Sequence, residues 1–120
     1  LPSPELIEFI MQRTGTQRLM DFHRPFLSDA ARRWPDADIL LGKPLPVGAA
    51  AAFYAGRRAR GFQPERQVHW LIDSFERLAQ YRTLAIQSRR ILSVALEIDV
   101  GFHRGGFSDP RQVGEALAIV

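Results

Sequence analysis

The sequence predicts a mainly α-helical domain, a compact bundle of four to six helices with at most one short β element near residues 92–100. Three observations lead there. Pro follows a capping residue or opens a polar turn at Ser3-Pro4-Glu5, Gln63-Pro64-Glu65 and Ser108-Asp109-Pro110, the places where its missing N–H costs a helix nothing. Val68, Leu71, Ile72, Phe75, Leu78 and Ala79 recur at three- and four-residue intervals, as one buried helix face requires. Neither Gly nor Pro interrupts the chain from Glu65 to Val100.

Taken in order, Ser3 caps a helix carrying Leu6, Ile7, Phe9, Ile10 and Met11, which ends near Gly15. A second start at Thr16 brings Leu19, Met20 and Phe22 and is broken at Pro25; Ser28-Asp29 restarts a helix that Pro35 stops. Pro35 to Pro46 is the least regular stretch. Ala49 to Ala55, with four consecutive Ala, reads as a close-packed helix ending at Gly56 or Gly61. The helix opened at Pro64 is the strongest in the chain and could run past Arg90. Its stripe of Leu71, Phe75 and Leu78 is expected to share an interior with Leu6, Phe9 and Ile10.

From Leu92 the period changes. Leu92, Val94, Leu96, Ile98 and Val100 alternate with Ser93, Ala95, Glu97 and Asp99, a half-buried strand pattern. Such a strand needs a partner for its backbone groups, and Ile39-Leu40-Leu41, the C-terminal residues or another chain could supply one. Gly101 to Gly106 is a loop, and a last helix after Asp109 carries Val113, Ala116 and Leu117.

The whole of residues 1–120 reads as a single domain, part of a longer gene product, because Leu1-Pro2-Ser3 is neither a leader nor an initiator Met. Fifteen Arg accompany one Lys, Lys43, with Arg32-Arg33, Arg57-Arg58-Ala59-Arg60 and Arg89-Arg90 grouped. Guanidinium forks suit phosphate and carboxylate, but an Ala- and Gly-rich, bacterial-like composition also writes Arg for Lys by codon bias. The net charge of +3 permits a nucleic-acid partner without demanding one. With no Cys, thiolate metal sites and cysteine nucleophiles are excluded. No apolar run approaches the length of a membrane span, and the location expected is cytoplasmic.

Few constellations carry chemistry. Arg57, Arg58, Arg60, Arg66, Arg89 and Arg90 could grip nucleic acid or another anion, and the hinge from Gly61 to Pro64 could join the two helices of a helix-turn-helix. Glu65, His69 and Asp73 would share a helix stripe able to ligate a metal with His103 or Asp38, yet no spacing marks such a site, and no metal or cofactor is expected. His23 reads as a surface or boundary residue. Val100 to Pro110 places His103 and Arg104 in a Gly-rich loop between a strand and a helix start, an anion-binding geometry without the Gly spacing of a phosphate-loop or dinucleotide motif. No catalytic residue is assigned.

The leading functional expectation is therefore a non-catalytic helical binding or adaptor domain, a subunit of a complex acting through protein–protein contacts or self-association. Trp34, Tyr54, Trp70 and Tyr81 would be its exposed partner-binding anchors. An Arg-rich nucleic-acid-associated regulatory domain is the alternative, and a small enzyme with an anion-binding Gly-rich loop the third reading.

Overall fold

Four short stretches lie side by side in chain order, all parallel: β1 (Arg18–Asp21), β2 (Asp38–Leu41), β3 (Val68–Ile72) and β4 (Ser93–Leu96). Parallel neighbours cannot be joined by a tight hairpin and need a crossover. The intervening helices supply it: α2 (Arg24–Arg33), α3 (Val47–Ala55) with the short α4 (Pro64–Gln67), and α5 (Phe75–Ser88). Two further helices, α1 (Pro4–Thr14) and α6 (Pro110–Ile119), flank the sheet in sequence. This computed structural model describes residues 3–120; Leu1 and Pro2, the opening of the segment read for a leader, lie outside the described residues. The chain is thus a layered α/β unit, and the helical bundle expected from the sequence is corrected.

The layering follows from alternation. Ile39 and Leu41, then Val68, Trp70 and Ile72, are buried beneath Leu27, Ala30 and Ala31 of α2, Ala50 and Tyr54 of α3, and Leu78 and Tyr81 of α5. The small Ala faces let these helices approach the sheet closely. Three polar links tie the layer together: Trp70 Nε1 donates to Tyr54 Oη at 3.0 Å, Tyr81 Oη to the Leu45 carbonyl at 3.1 Å, and Arg77 to the same carbonyl at 2.7 Å.

The other sheet face carries Arg18 and Met20, Asp38 and Leu40, His69 and Ala95 around an open cavity of about 430 Å³. No helix covers it among the described residues, and Met20 is more than half exposed. His69 Nε2 lies 2.6 Å from Asp38 Oδ1 on this face.

Several elements differ from expectation. The helix opened at Pro64 stops at Gln67, because Val68–Ile72 is a strand whose alternate residues are buried; a second helix begins only after Ser74, which caps Arg77 N at 3.2 Å. The apparent stripe from Val68 to Leu78 is therefore split between strand and helix. The Thr16 start leads into β1, α2 begins at Arg24 rather than Ser28, and the irregular stretch holds β2. Leu6, Phe9 and Ile10 are exposed and share no interior with Leu78, since α1 buries only Met11. The residues 92–100 do contain a strand, paired with β3, but Ile98 and Val100 lie beyond it and are exposed. The helix starts read at Ser3 and at Ser108-Asp109-Pro110 form, and the helix read from Ala49 to Ala55 forms but opens two residues earlier, at Val47.

Candidate active site

In a parallel sheet every strand points its C-terminal end the same way, so the loops that follow the strands gather on one rim. Here these are Phe22-His23 after β1, Gly42-Lys43-Pro44 after β2, Asp73-Ser74 after β3 and Glu97–Asp109 after β4. Open α/β sheets and barrels bind ligands at that rim.

The β4 loop is the most built of the four. Glu97 N–H donates to the Ile72 carbonyl at 2.8 Å, carrying the β3–β4 pairing past the strand ends. The chain then turns and comes back beside itself, with Phe107 N–H on the Glu97 carbonyl at 2.8 Å and Asp99 N–H on the Phe107 carbonyl at 3.0 Å. Phe107 is buried edge-on against Phe75, ring centroids 5.1 Å apart, which fastens the returning arm to α5. Gly106 is required: its φ is +97°, and a Cβ there would stand 2.8 Å from the Glu97 carbonyl oxygen.

Asp99 organises the tip. One carboxylate oxygen accepts the backbone N–H groups of Gly101 and His103, each at 3.0 Å; the other lies 2.7 Å from His103 Nδ1. These two backbone hydrogen bonds, then the imidazole, hold its carboxyl below the usual Asp range. His103 sits at φ +51° with its ring mostly exposed, so Nε2 points away from the carboxylate with no partner among the described residues. Arg104 follows, exposed, its guanidinium 5.2 Å from the centroid of the Phe102 ring and with no carboxylate partner among the described residues.

An Asp organises each of the rim loops that follow β3 and β1. Asp73 binds Arg77 Nε at 2.8 Å, and its carbonyl accepts Gly106 N–H at 3.1 Å, joining the β3 and β4 loops. Asp21 is 4% exposed at the end of β1; Oδ1 accepts the Phe22 and His23 amides, while Oδ2 is buried without a partner. Burial pushes its carboxyl above the usual range despite those two amides. Gly42 is packed so tightly that a Cβ would strike the Phe22 ring at 2.5 Å.

The rim gathers only His103 and Arg104 from the residues read as binding groups. Arg57, Arg58 and Arg60 lie in the turn after α3, Arg66 in α4, and Arg89 and Arg90 at the end of α5. Arg58 and Arg90 both pair with Glu65 Oε1, the former at 2.8 Å. Burial alone would raise the Glu65 carboxyl; its backbone hydrogen bond and these two guanidinia outweigh that and lower it. Arg89 caps α5 in a left-handed conformation. The expected exposed anchors are corrected: Trp34, Tyr54, Trp70 and Tyr81 are all buried, Trp70 within β3 and the other three on α3, on α5 and at the end of α2, which pack on the sheet. Glu65, His69 and Asp73 fall on three different elements, and no group of three metal-ligating side chains occurs among the described residues. Asp99 and Asp21 were missed. The Asp-x-Gly spacing of Asp99-Val100-Gly101, which favours a side chain bonding its own backbone two residues on, was the signal available for the first.

The family model described as "Alanine racemase, N-terminal domain" matches residues 51–120, more than half of the chain. No curated protein and no solved structure matches it. The matched segment runs from the middle of α3 through α6 and includes the whole β4 loop. That family has a TIM-barrel-type α/β fold, and the four-stranded parallel sheet agrees with it. The match overturns the expectation of a non-catalytic helical adaptor and that of a nucleic-acid-associated regulator; of the three readings, the small enzyme is the nearest. No helix among the described residues is long and apolar enough to cross a membrane.

Proposed function

We infer the function from one premise: the chain belongs to the alanine racemase N-terminal domain family. It contributes to an enzyme acting at the α-carbon of an amino acid, an alanine-type racemase, with the site on the C-terminal rim of the sheet. The observation that carries this reading is the β4 loop. It is built by Asp99, closed by Gly106, and carries the consecutive residues His103 and Arg104 where barrel enzymes of this type keep their chemistry.

Racemisation removes a proton from Cα and returns one to the opposite face, so it needs an anion binder and a group that handles a proton. Arg104 supplies a forked donor for the amino-acid carboxylate or another anion. His103, held through Nδ1 by Asp99, leaves Nε2 to accept or give a proton. Asp99 acts as its positioning residue.

Pyridoxal phosphate supplies the electron sink that makes such a proton removable, and enzymes hold it through a lysine amine. The residues described do not fit that group by themselves. The chain's single lysine, Lys43, lies ahead of the matched segment, is exposed, and makes no hydrogen bond or ion pair among the described residues. The roles above are therefore limited to substrate contacts and proton handling.

Four strands are half of the eight in a TIM-type barrel, which supports reading residues 1–120 as one unit of a longer gene product. The open sheet face supports packing by further polypeptide, and the cytoplasm is the location we propose. The test is α-proton exchange: alanine of either hand is incubated with the full-length gene product and pyridoxal phosphate in heavy water, and loss of the α-proton signal is followed by NMR. Exchange with inversion is expected, and Arg104→Gln should reduce it at least tenfold with an unchanged melting temperature. No exchange with any small amino acid would overturn the reading.

A further inference from the structure

A second positive concavity lies among the helices and shares no residue with the β4 loop. It is a cleft of about 120 Å³ between α2 and the α3–α4 connection, and five guanidinium groups line it: Arg24, Arg32, Arg57, Arg58 and Arg90. No acidic residue lines it. The acids nearby are already engaged, Glu65 by Arg58 and Arg90 and Asp29 by Arg32. Arg24 and Arg57 have no ion-pair partner among the described residues, so the cleft keeps an excess of positive charge.

Its floor is aromatic. The Arg90 guanidinium stands 5.5 Å from the centroid of the buried Tyr54 ring, which together with Glu65 fixes its direction. Phe53 and Phe62 provide apolar wall. Converging like charges repel one another, and a bound polyvalent anion removes that repulsion while using forks that match its oxygens. At about 120 Å³ the cleft is too small for a duplex, and Phe53 and Phe62 offer apolar contact to an organic group attached to the anion.

We propose that this cleft binds a small phosphate-bearing molecule, at a site distinct from the rim. This does not rest on the racemase reading, since none of its residues belongs to the β4 loop. Calorimetric titration at low, matched ionic strength tests it, with inorganic pyrophosphate in one arm and a nucleoside diphosphate in the other. Saturable binding is expected. Arg24→Gln and Arg57→Gln, made singly, should each weaken it about tenfold, whereas Arg111→Gln on exposed α6 should leave it unchanged. Tighter binding of the nucleoside diphosphate assigns the apolar wall to the ligand's organic part; equal binding assigns the site to phosphate alone. Absence of saturable heat in both arms, or equal weakening by Arg111→Gln, overturns the proposal.

Discussion

Asp99 grips His103 twice, through the backbone N–H at 3.0 Å and through ring Nδ1 at 2.7 Å, so one carboxylate sets both the left-handed backbone and the direction of the imidazole. Both bonds are made to the ionised acid. The folded pKa is depressed, so the stabilisation is present above the ordinary Asp range and is lost as pH falls through the lower folded value.

An acid titration followed by NMR reads this directly. The amide protons of Gly101 and His103 should move together, with a midpoint below the ordinary Asp value of about 3.9. A midpoint at or above that value would show that the carboxylate does not hold the loop. Asp99→Ala should abolish the shared transition and lower α-proton exchange, since His103 would lose its orientation.

Gly106 makes a sharper test of the loop closure. Ala at this position must place a Cβ against the Glu97 carbonyl at φ +97°, a strained conformation costing about 1–3 kcal/mol. Gly114→Ala, in the middle of α6 with nothing near its Cβ position, should instead gain about 0.4–1 kcal/mol. Urea unfolding of the two variants should show opposite signs.

How far the fold could be read from the sequence is clearest at Val68–Ile72. The five residues Val-His-Trp-Leu-Ile bury alternate positions, but Leu71 and Ile72 also continue into Phe75 and Leu78 at helical spacing. With no Gly or Pro to punctuate the stretch, only Asp73-Ser74 marks the boundary, and both residues also fit within one long helix. Helix starts were legible because caps are local chemistry, as Ser3 and Asp109 demonstrate. Strands of four residues in a parallel sheet are specified by partners distant in sequence; β1 leaves almost no local trace, and β2 shows only as the short apolar segment Ile39-Leu40-Leu41. His103 and Arg104 were legible as a loop constellation; that they stand on a shared rim followed only from the topology.

The Trp70–Tyr54 pair predicts an ordering of two conservative substitutions. Trp70 is wholly buried, and its indole N–H has Tyr54 Oη as acceptor. Tyr54→Phe leaves that donor without a partner and should cost about 1–3 kcal/mol. Tyr81→Phe removes a donor to the Leu45 carbonyl, which keeps its bond from Arg77, and should cost about 1 kcal/mol or less. Equal losses in thermal unfolding would mean that the Leu45 carbonyl is not shared as described.

Asp21 makes the opposite pH prediction to Asp99. Desolvation raises its carboxyl against the lowering effect of the His23 and Phe22 amides, and Oδ2 is buried without a hydrogen bond. The folded chain therefore keeps the proton to a higher pH than the unfolded chain does. Stability on this account is fully present below the ordinary Asp value of about 3.9 and falls as pH climbs through the raised folded value. Asp21→Asn cannot ionise and escapes that fall while keeping an oxygen for the two amides. Measured by urea unfolding, the variant should gain on the parent between pH 4 and pH 7, even if it is the less stable of the two at pH 4. A stability difference that stays constant over this range would mean that Asp21 ionises as freely in the fold as in the unfolded chain.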